Sequence, residues 1–194
     1  MTRQPRLLAF AGSVREGSFN RRLAAAAARA AEAAGAAVTL AELGHHPMPI
    51  YDGDLEEREG MPEGAVRWRR LMAEHNGFLI ASPEYNSSTP ALLKNALDWA
   101  SRRHPDDAAP RPAYRGKVAG IMSASNGRLG GVRGLPHLRQ VLTTLGVLVV
   151  PEQLALHGAA DAFATDGSLK DPAQAALLDA LARSVTRLTG LVRA

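Results

Sequence analysis

With 194 residues, no cysteine and a formal net charge of +4, the chain is long enough to build one ordinary domain and its core without disulfide or thiolate–metal staples. A hydrophobic share of 46% excludes a disordered chain, and no apolar run approaches the roughly 20 residues that cross a bilayer. The arginines are interleaved with Glu and Asp rather than clustered, which argues for a solvated surface and against a nucleic-acid partner.

Residues 7–11 are a short apolar run that reads as the first strand. No signal-peptide segment or cleavage site precedes it, so a cytoplasmic location with no membrane partner is expected. A loop over 12–18 leads to an Ala-rich helix over about 20–34, stopped near Gly35. Strand two is expected over 36–41, followed by a long loop over 43–60. Residues 61–74 have helical spacing, with Val66, Leu71 and Met72 facing inward. Strand three covers 77–81. After it, Pro90 opens a helix whose Leu92, Leu93, Ala96, Leu97 and Ala100 share one face. Residues 103–116 form an excursion too polar for the core. Strand four spans 117–123, a glycine-rich turn spans 126–134, and a helix runs through Leu138, Val141, Leu142 and Leu145. Strand five is expected over 147–150. The last helix is expected over about 172–193, with Ala176, Leu177, Leu181, Val185, Leu188 and Val192 inward.

Five strands thus alternate with five helices. Short strands apolar on both faces argue for a parallel sheet covered on both sides, and right-handed crossovers leave few topologies. The expected class is α/β, a flavodoxin-like three-layer sandwich with a five-stranded parallel sheet in the order 2-1-3-4-5, forming a single domain over 1–194. Ligands of such sheets bind outside the carboxyl ends of the strands.

Three loops at those ends carry suitable chemistry. In the first, Ser13, Ser18 and Asn20 offer hydrogen bonds, Arg15 offers a charge, and a helix begins at once, a combination suited to a monophosphate. The competing reading is an ordinary capped turn; no Walker Gly-Lys-Ser/Thr and no dinucleotide Gly-x-Gly-x-x-Gly is present. The second, Ser-Pro-Glu-Tyr-Asn-Ser-Ser-Thr-Pro over 82–90, sets Tyr85 among exposed backbone groups, as a flat aromatic ligand would need. The third, over 123–131, is glycine-rich, which permits close backbone approach. No Gly-x-Ser-x-Gly and no His-Glu-x-x-His occurs. His45 and His46 are adjacent and should diverge, and the acidic run from Asp52 lacks the glycine of a calcium loop. No metal site is expected.

Gly12-Ser13-x-Arg15-x-x-Ser18-x-Asn20, Ser82-Pro83-Glu84-Tyr85-Asn86-x-Ser88-x-Pro90 and Leu93-Lys94-Asn95-Ala96-Leu97-Asp98-Trp99 resemble the NADPH-dependent FMN reductase family. The likeness continues through Pro49-Ile50-Tyr51-Asp52, Gly127-x-x-Gly130-Gly131 and His137-Leu138-Arg139-Gln140, and so covers about 7–150. Departures are Ala91, Arg128-Leu129 within the glycine loop, and the long excursion after Arg102.

The resemblance implies that Ser13, Arg15, Ser18, Phe19 and Asn20 hold the FMN phosphate. It implies that Pro83, Glu84, Tyr85 and Asn86 wrap the isoalloxazine, largely through backbone groups, and that Ser123, Ser125 and Gly127 border the ribityl chain or ring. The implied activity takes a hydride from NADPH (or NADH) through bound FMN to a quinone, free flavin or similar small electron acceptor, by a ping-pong sequence. The cofactor carries the chemistry, so no catalytic side chain is expected. Arg102, Arg103 or Arg111 could meet the NADPH 2′-phosphate, with solvated surface charge as the competing role. Trp99 would sit in the core or at an interface, and relatives' habits imply a homodimer or homotetramer. The rivals are a one-electron flavodoxin carrier, which would usually be acidic, and a non-catalytic FMN-binding module.

Overall fold

A computed structural model describes residues 4–105, 107 and 109–192 of the chain. Five parallel strands, β1 (Arg6–Ala11), β2 (Ala37–Ala41), β3 (Gly77–Ala81), β4 (Val118–Ala124) and β5 (Leu148–Leu156), form a sheet in the order β2-β1-β3-β4-β5. The expected order is thereby found. Beyond Arg6, every residue of the three central strands is buried, as a sheet covered on both faces requires.

The helices are α1 (Phe19–Ala33), α2 (Gly53–Glu59), α3 (Glu63–Ala73), α4 (Ala91–Ser101), α5 (Gly134–Thr144) and α6 (Pro172–Leu191). On one face, α1 and α6 pack small side chains such as Ala24, Ala27 and Ala182 against Leu7, Ala9 and Leu79. A Cβ at Gly120 would come within 2.6 Å of Leu181, so this layer lies close against β4. On the other face, α3, α4 and α5 meet bulkier residues. Phe10 stands edge-on to Trp68 at 4.9 Å and to Phe78 at 6.5 Å. Such pairs add to the burial of large rings.

Several expectations change. The loop over 43–60 contains a 3-10 turn (Leu43–His45) and α2. Helix α2 buries no residue, so it has no apolar stripe to reveal it; Asp52 caps it by accepting from the amides of Asp54 and Leu55. Helix α3 buries Ala65, Trp68 and Met72, leaving Val66 and Leu71 half-buried, because the large indole selects the face. The expected inward face of α6 is rotated: Ala176 and Leu177 are exposed, whereas Leu178, Ala182, Thr186 and Thr189 are buried with Leu181 and Val185. Two threonines in the stripe conceal it from a reading of apolar spacing. The expected last residue of that helix, Arg193, lies outside the described residues.

Strand β5 runs six residues past its expected end, through Pro151. An edge strand tolerates proline, and the β4–β5 register shifts between Ala119 and Ile121 to accommodate the irregularity. The excursion after Arg102 returns to the core: Ala113 and Tyr114 are fully buried, and the Tyr114 hydroxyl donates to the Leu97 carbonyl at 2.7 Å. Arg69 and Asp107 form an ion pair beneath the surface. Trp99 is a core residue whose indole N–H donates to the Pro49 carbonyl at 2.8 Å.

Candidate functional site

Parallel strands deliver their carboxyl ends to one edge of the sheet. The loops after β1, β3 and β4 therefore meet, and they frame a cleft of about 190 Å³. Ser13, Arg15, Ser18, Phe19 and Asn20 line one wall; Pro83, Glu84 and Tyr85 line the second; Ala124, Ser125 and Asn126 close the third.

The first wall is a helix entrance. Ser18 caps α1, its hydroxyl accepting from the Arg21 amide at 3.4 Å, and its own amide donates to the Arg15 carbonyl at 3.2 Å. Ser13 Oγ accepts from the Arg15 amide at 3.4 Å. The exposed Arg15 guanidinium donates to the Gly17 carbonyl at 3.4 Å and sits 5.7 Å from the centre of the Phe19 ring. Two hydroxyls, one cation and the positive end of a helix dipole converge here, a donor set for a small dianion. Asn20 has a different task. Its side chain donates to the Ala124 carbonyl at 2.9 Å and accepts from the Ala124 amide at 3.0 Å, bracing α1 against the end of β4.

The second wall is a tight turn. Tyr85 and Ser88 exchange backbone hydrogen bonds of 2.9 and 3.0 Å, and Asn86 and Ser87 between them have φ of 51° and 64°. Positive φ at both central residues defines a type I′ turn, which suits Asn and strains Ser. The Tyr85 side of the turn stays open, with the residue 55% exposed. The Glu84 carboxylate is turned to α5, where it accepts from the Arg133 amide and Nε, each at 2.8 Å, and from the Gly134 amide at 3.2 Å. Burial disfavours its charge, but the Arg133 side chain and these amides outweigh that and hold the carboxyl below its ordinary range.

In the third wall, Ser125 Oγ accepts from the Gly127 amide at 3.2 Å, and Asn126 Oδ1 accepts from the Ala160 amide at 2.7 Å. Three expected residues do not line the cleft. Asn86 and Gly127 lie outside its lining, and Ser123 is fully buried beneath Gly131, with no partner for its hydroxyl. Ser123 belongs to β4, whose residues are all buried, whereas Ser125 lies past the end of the strand. Ala124 and Asn126 belong to the cleft but carried no distinctive signal in the sequence.

The segment Pro49-Ile50-Tyr51-Asp52 is a strap on α4. Asn95 accepts from the Tyr51 amide at 2.8 Å and donates to the Pro49 carbonyl at 2.9 Å. Arg102 pairs with Glu56 and lies over the Tyr51 ring. Arg102, Arg103 and Arg111 line a separate cavity of about 460 Å³. None of the three lines the cleft, and Arg102 and Arg103 follow the carboxyl end of α4. His46 packs beside Trp68 while His45 points to solvent, so the pair diverges as expected. His75 is buried between the Leu71 carbonyl and Thr39.

A family model described as NADPH-dependent FMN reductase matches residues 5–161. An NAD(P)H-dependent FMN reductase of Pseudomonas aeruginosa is 37% identical over 191 residues, covering 95% of this chain and 97% of that protein. The quinone reductase of Escherichia coli is 34% identical over 150 residues, covering 77% and 76% of the two chains. The solved structure of a flavoenzyme NAD(P)H:(acceptor) oxidoreductase from Paracoccus denitrificans superposes with a TM-score of 0.82 at 25% identity, covering 97% of this chain and 98% of that one. By sequence pattern, by relatives matched along most of their length and by fold, the chain belongs to the NADPH-dependent FMN reductase family of oxidoreductases.

Proposed function

We propose that the chain, as one domain over 1–194, uses FMN as cofactor and NADPH (or NADH) as co-substrate to reduce quinones, free flavin or similar small acceptors by a ping-pong sequence. The observation that carries this reading is the meeting, in one cleft, of a dianion-binding helix entrance with a backbone wall beside an exposed tyrosine. The donor set fits the cofactor. Ser13, Ser18 and Arg15 would hold the phosphate with the first amides of α1. Pro83, Glu84 and Tyr85 would face the ring with main-chain groups, because the Glu84 carboxylate is already engaged with α5. Asn20 enters as a brace and Ser123 as a buried support, neither as a primary cofactor contact.

When bound, FMN supplies the redox chemistry, taking a hydride equivalent from reduced nicotinamide and giving it to the acceptor. The chain's part is to bind, orient and exclude water. The ping-pong assignment rests on the family resemblance, in which nicotinamide and acceptor would visit the same face of the flavin in turn. No helix among the described residues is long and apolar enough to cross a membrane. The reading includes a cytoplasmic homodimer or homotetramer, supported by the exposed Ile50 and Leu92 on the strap and the first turn of α4. Light scattering tests that assembly.

For the activity, protein loaded with FMN is mixed with NADPH without oxygen and then with a benzoquinone. The expected result is bleaching of the visible flavin band followed by its return, with parallel double-reciprocal initial-rate plots. Protein that fails to take up FMN would overturn the reading. Uptake without bleaching would favour a binding module or one-electron carrier.

A further inference from the structure

Resting on that flavin reading, we propose that Glu84 is a positioning residue for the ring: its carboxylate ties the 83–86 backbone to the start of α5. The ring-facing wall and the glycine loop then behave as one piece.

Every acceptor position of this carboxylate is directed at one target. One oxygen takes the amides of Arg133 and Gly134 at 2.8 and 3.2 Å; the other takes two guanidinium nitrogens of Arg133. Amides at a helix start and an arginine fork are the donors a carboxylate binds most strongly. The partners are 49 and 50 residues apart in the chain, so the tether joins two crossover loops that no sheet bond connects. The Glu84 side chain is only 7% exposed, while the Arg133 side chain that grips it is 57% exposed, so the tether is sheltered on the carboxylate side and on the part-buried Gly134 amide.

Glycines permit the approach. Added Cβ atoms at Gly131 and Gly134 would stand 3.5 and 3.6 Å from Glu84 Cβ, and the Gly134 one would be 3.1 Å from the Ser88 carbonyl oxygen. A second link lies at the far end of the same turn, where His137 Nδ1 and Ser88 Oγ are 2.9 Å apart. Both ends of the turn are therefore pinned to α5, and the exposed Tyr85 sits between them. Since the wall must meet the ring with main-chain groups, the placement of that main chain sets how well the ring is held.

The test is titration of Glu84→Ala, Glu84→Gln, Arg133→Ala and Arg15→Ala with FMN and with riboflavin, well below each melting temperature. Riboflavin lacks the phosphate and so reports the ring wall alone. Glu84→Ala is expected to weaken both ligands by the same factor, about tenfold or more, the scale of a lost charge-assisted contact. Arg133→Ala keeps both amide contacts, and Glu84→Gln keeps an amide acceptor, so each should weaken both ligands equally but by a smaller factor. A residue that merely stabilises the fold would lower the melting temperature and leave these ratios at one.

Wild-type affinity for both ligands in Glu84→Ala would overturn the proposal, as would weakening confined to FMN. Should Glu84→Ala fail to fold, the other two tether variants decide, and unchanged affinity in both would overturn it. Arg15→Ala separates the two claims. If it leaves FMN binding intact, the phosphate-site reading fails; if it weakens FMN alone while the tether variants bind normally, only the Glu84 proposal fails.

Discussion

The first and second walls of the cleft are built on opposite plans. The wall at the entrance to α1 is braced by Asn20, while its Ser13, Arg15 and Ser18 side chains make only long contacts of 3.4 Å and the Arg15 guanidinium stays exposed. The wall after β3 is closed on itself by the Tyr85–Ser88 turn and bolted to α5 by Glu84 and by Ser88 with His137. Under the proposed function the first would read charge through its exposed arginine. The second commits Glu84 and Ser88 to α5 and would present a fixed main chain that reads shape. A cofactor with a charged tail and a flat head needs both.

The largest loss is expected in the glycine loop to which the fixed wall is tied. At Gly131 the backbone φ is 86°, and an added Cβ would drive into the fully buried Ser123 hydroxyl. Gly131→Ala should lower stability by about 3 kcal/mol, from the joint cost of strain and overpacking, and should weaken FMN binding with it. An unchanged denaturation midpoint would contradict the close packing of this loop. On the other wall, Asn20→Ala removes two hydrogen bonds from the Ala124 backbone at a site only 4% exposed. A loss of about 2 kcal/mol is expected in denaturant melts, because buried groups left unpaired cost more than a bond gained.

The charge on Glu84 sharpens the contrast through pH. Its folded carboxyl titrates below the ordinary value, so its contribution to stability is fully present above the ordinary carboxylate range and is lost as pH falls through the lowered folded value. The stability difference between wild type and Glu84→Gln should therefore shrink on acidification; a difference that stays constant would show that the charge contributes nothing. Two smaller effects have opposite signs. Ser18→Ala loses the cap of α1 and should cost about 1 kcal/mol. Ser87→Gly relieves a positive φ of 64° and should gain about 0.5–1 kcal/mol, with both read from shifts in unfolding free energy.

Much of this organisation is legible in the chain. The runs that become β1, β3 and β4 are apolar throughout, and a parallel sheet must place the loops after them side by side, which brings Ser13, Arg15 and Tyr85 together. What escapes reading depends on partners distant in sequence. Nothing near Glu84 announces Arg133, and nothing near Asn20 announces Ala124, so the engagement of both side chains with distant partners is not legible in the sequence. The inner face of α6 includes Thr186 and Thr189, which an apolar pattern passes over, and β5 continues through a proline that normally ends a strand. Arg102, Arg103 and Arg111 are spread over ten residues of the sequence, and only the fold shows that they gather around one cavity whose lining shares no residue with the cleft.

The division of labour between the walls is tested most directly by comparing FMN and riboflavin affinities in wild-type protein and in Arg15→Ala. Wild type should prefer FMN by about tenfold or more, as a charge-assisted phosphate contact implies, and Arg15→Ala should lose most of that preference without weakening riboflavin. Equal affinity for the two ligands in wild-type protein would contradict the assignment of the first wall to the phosphate.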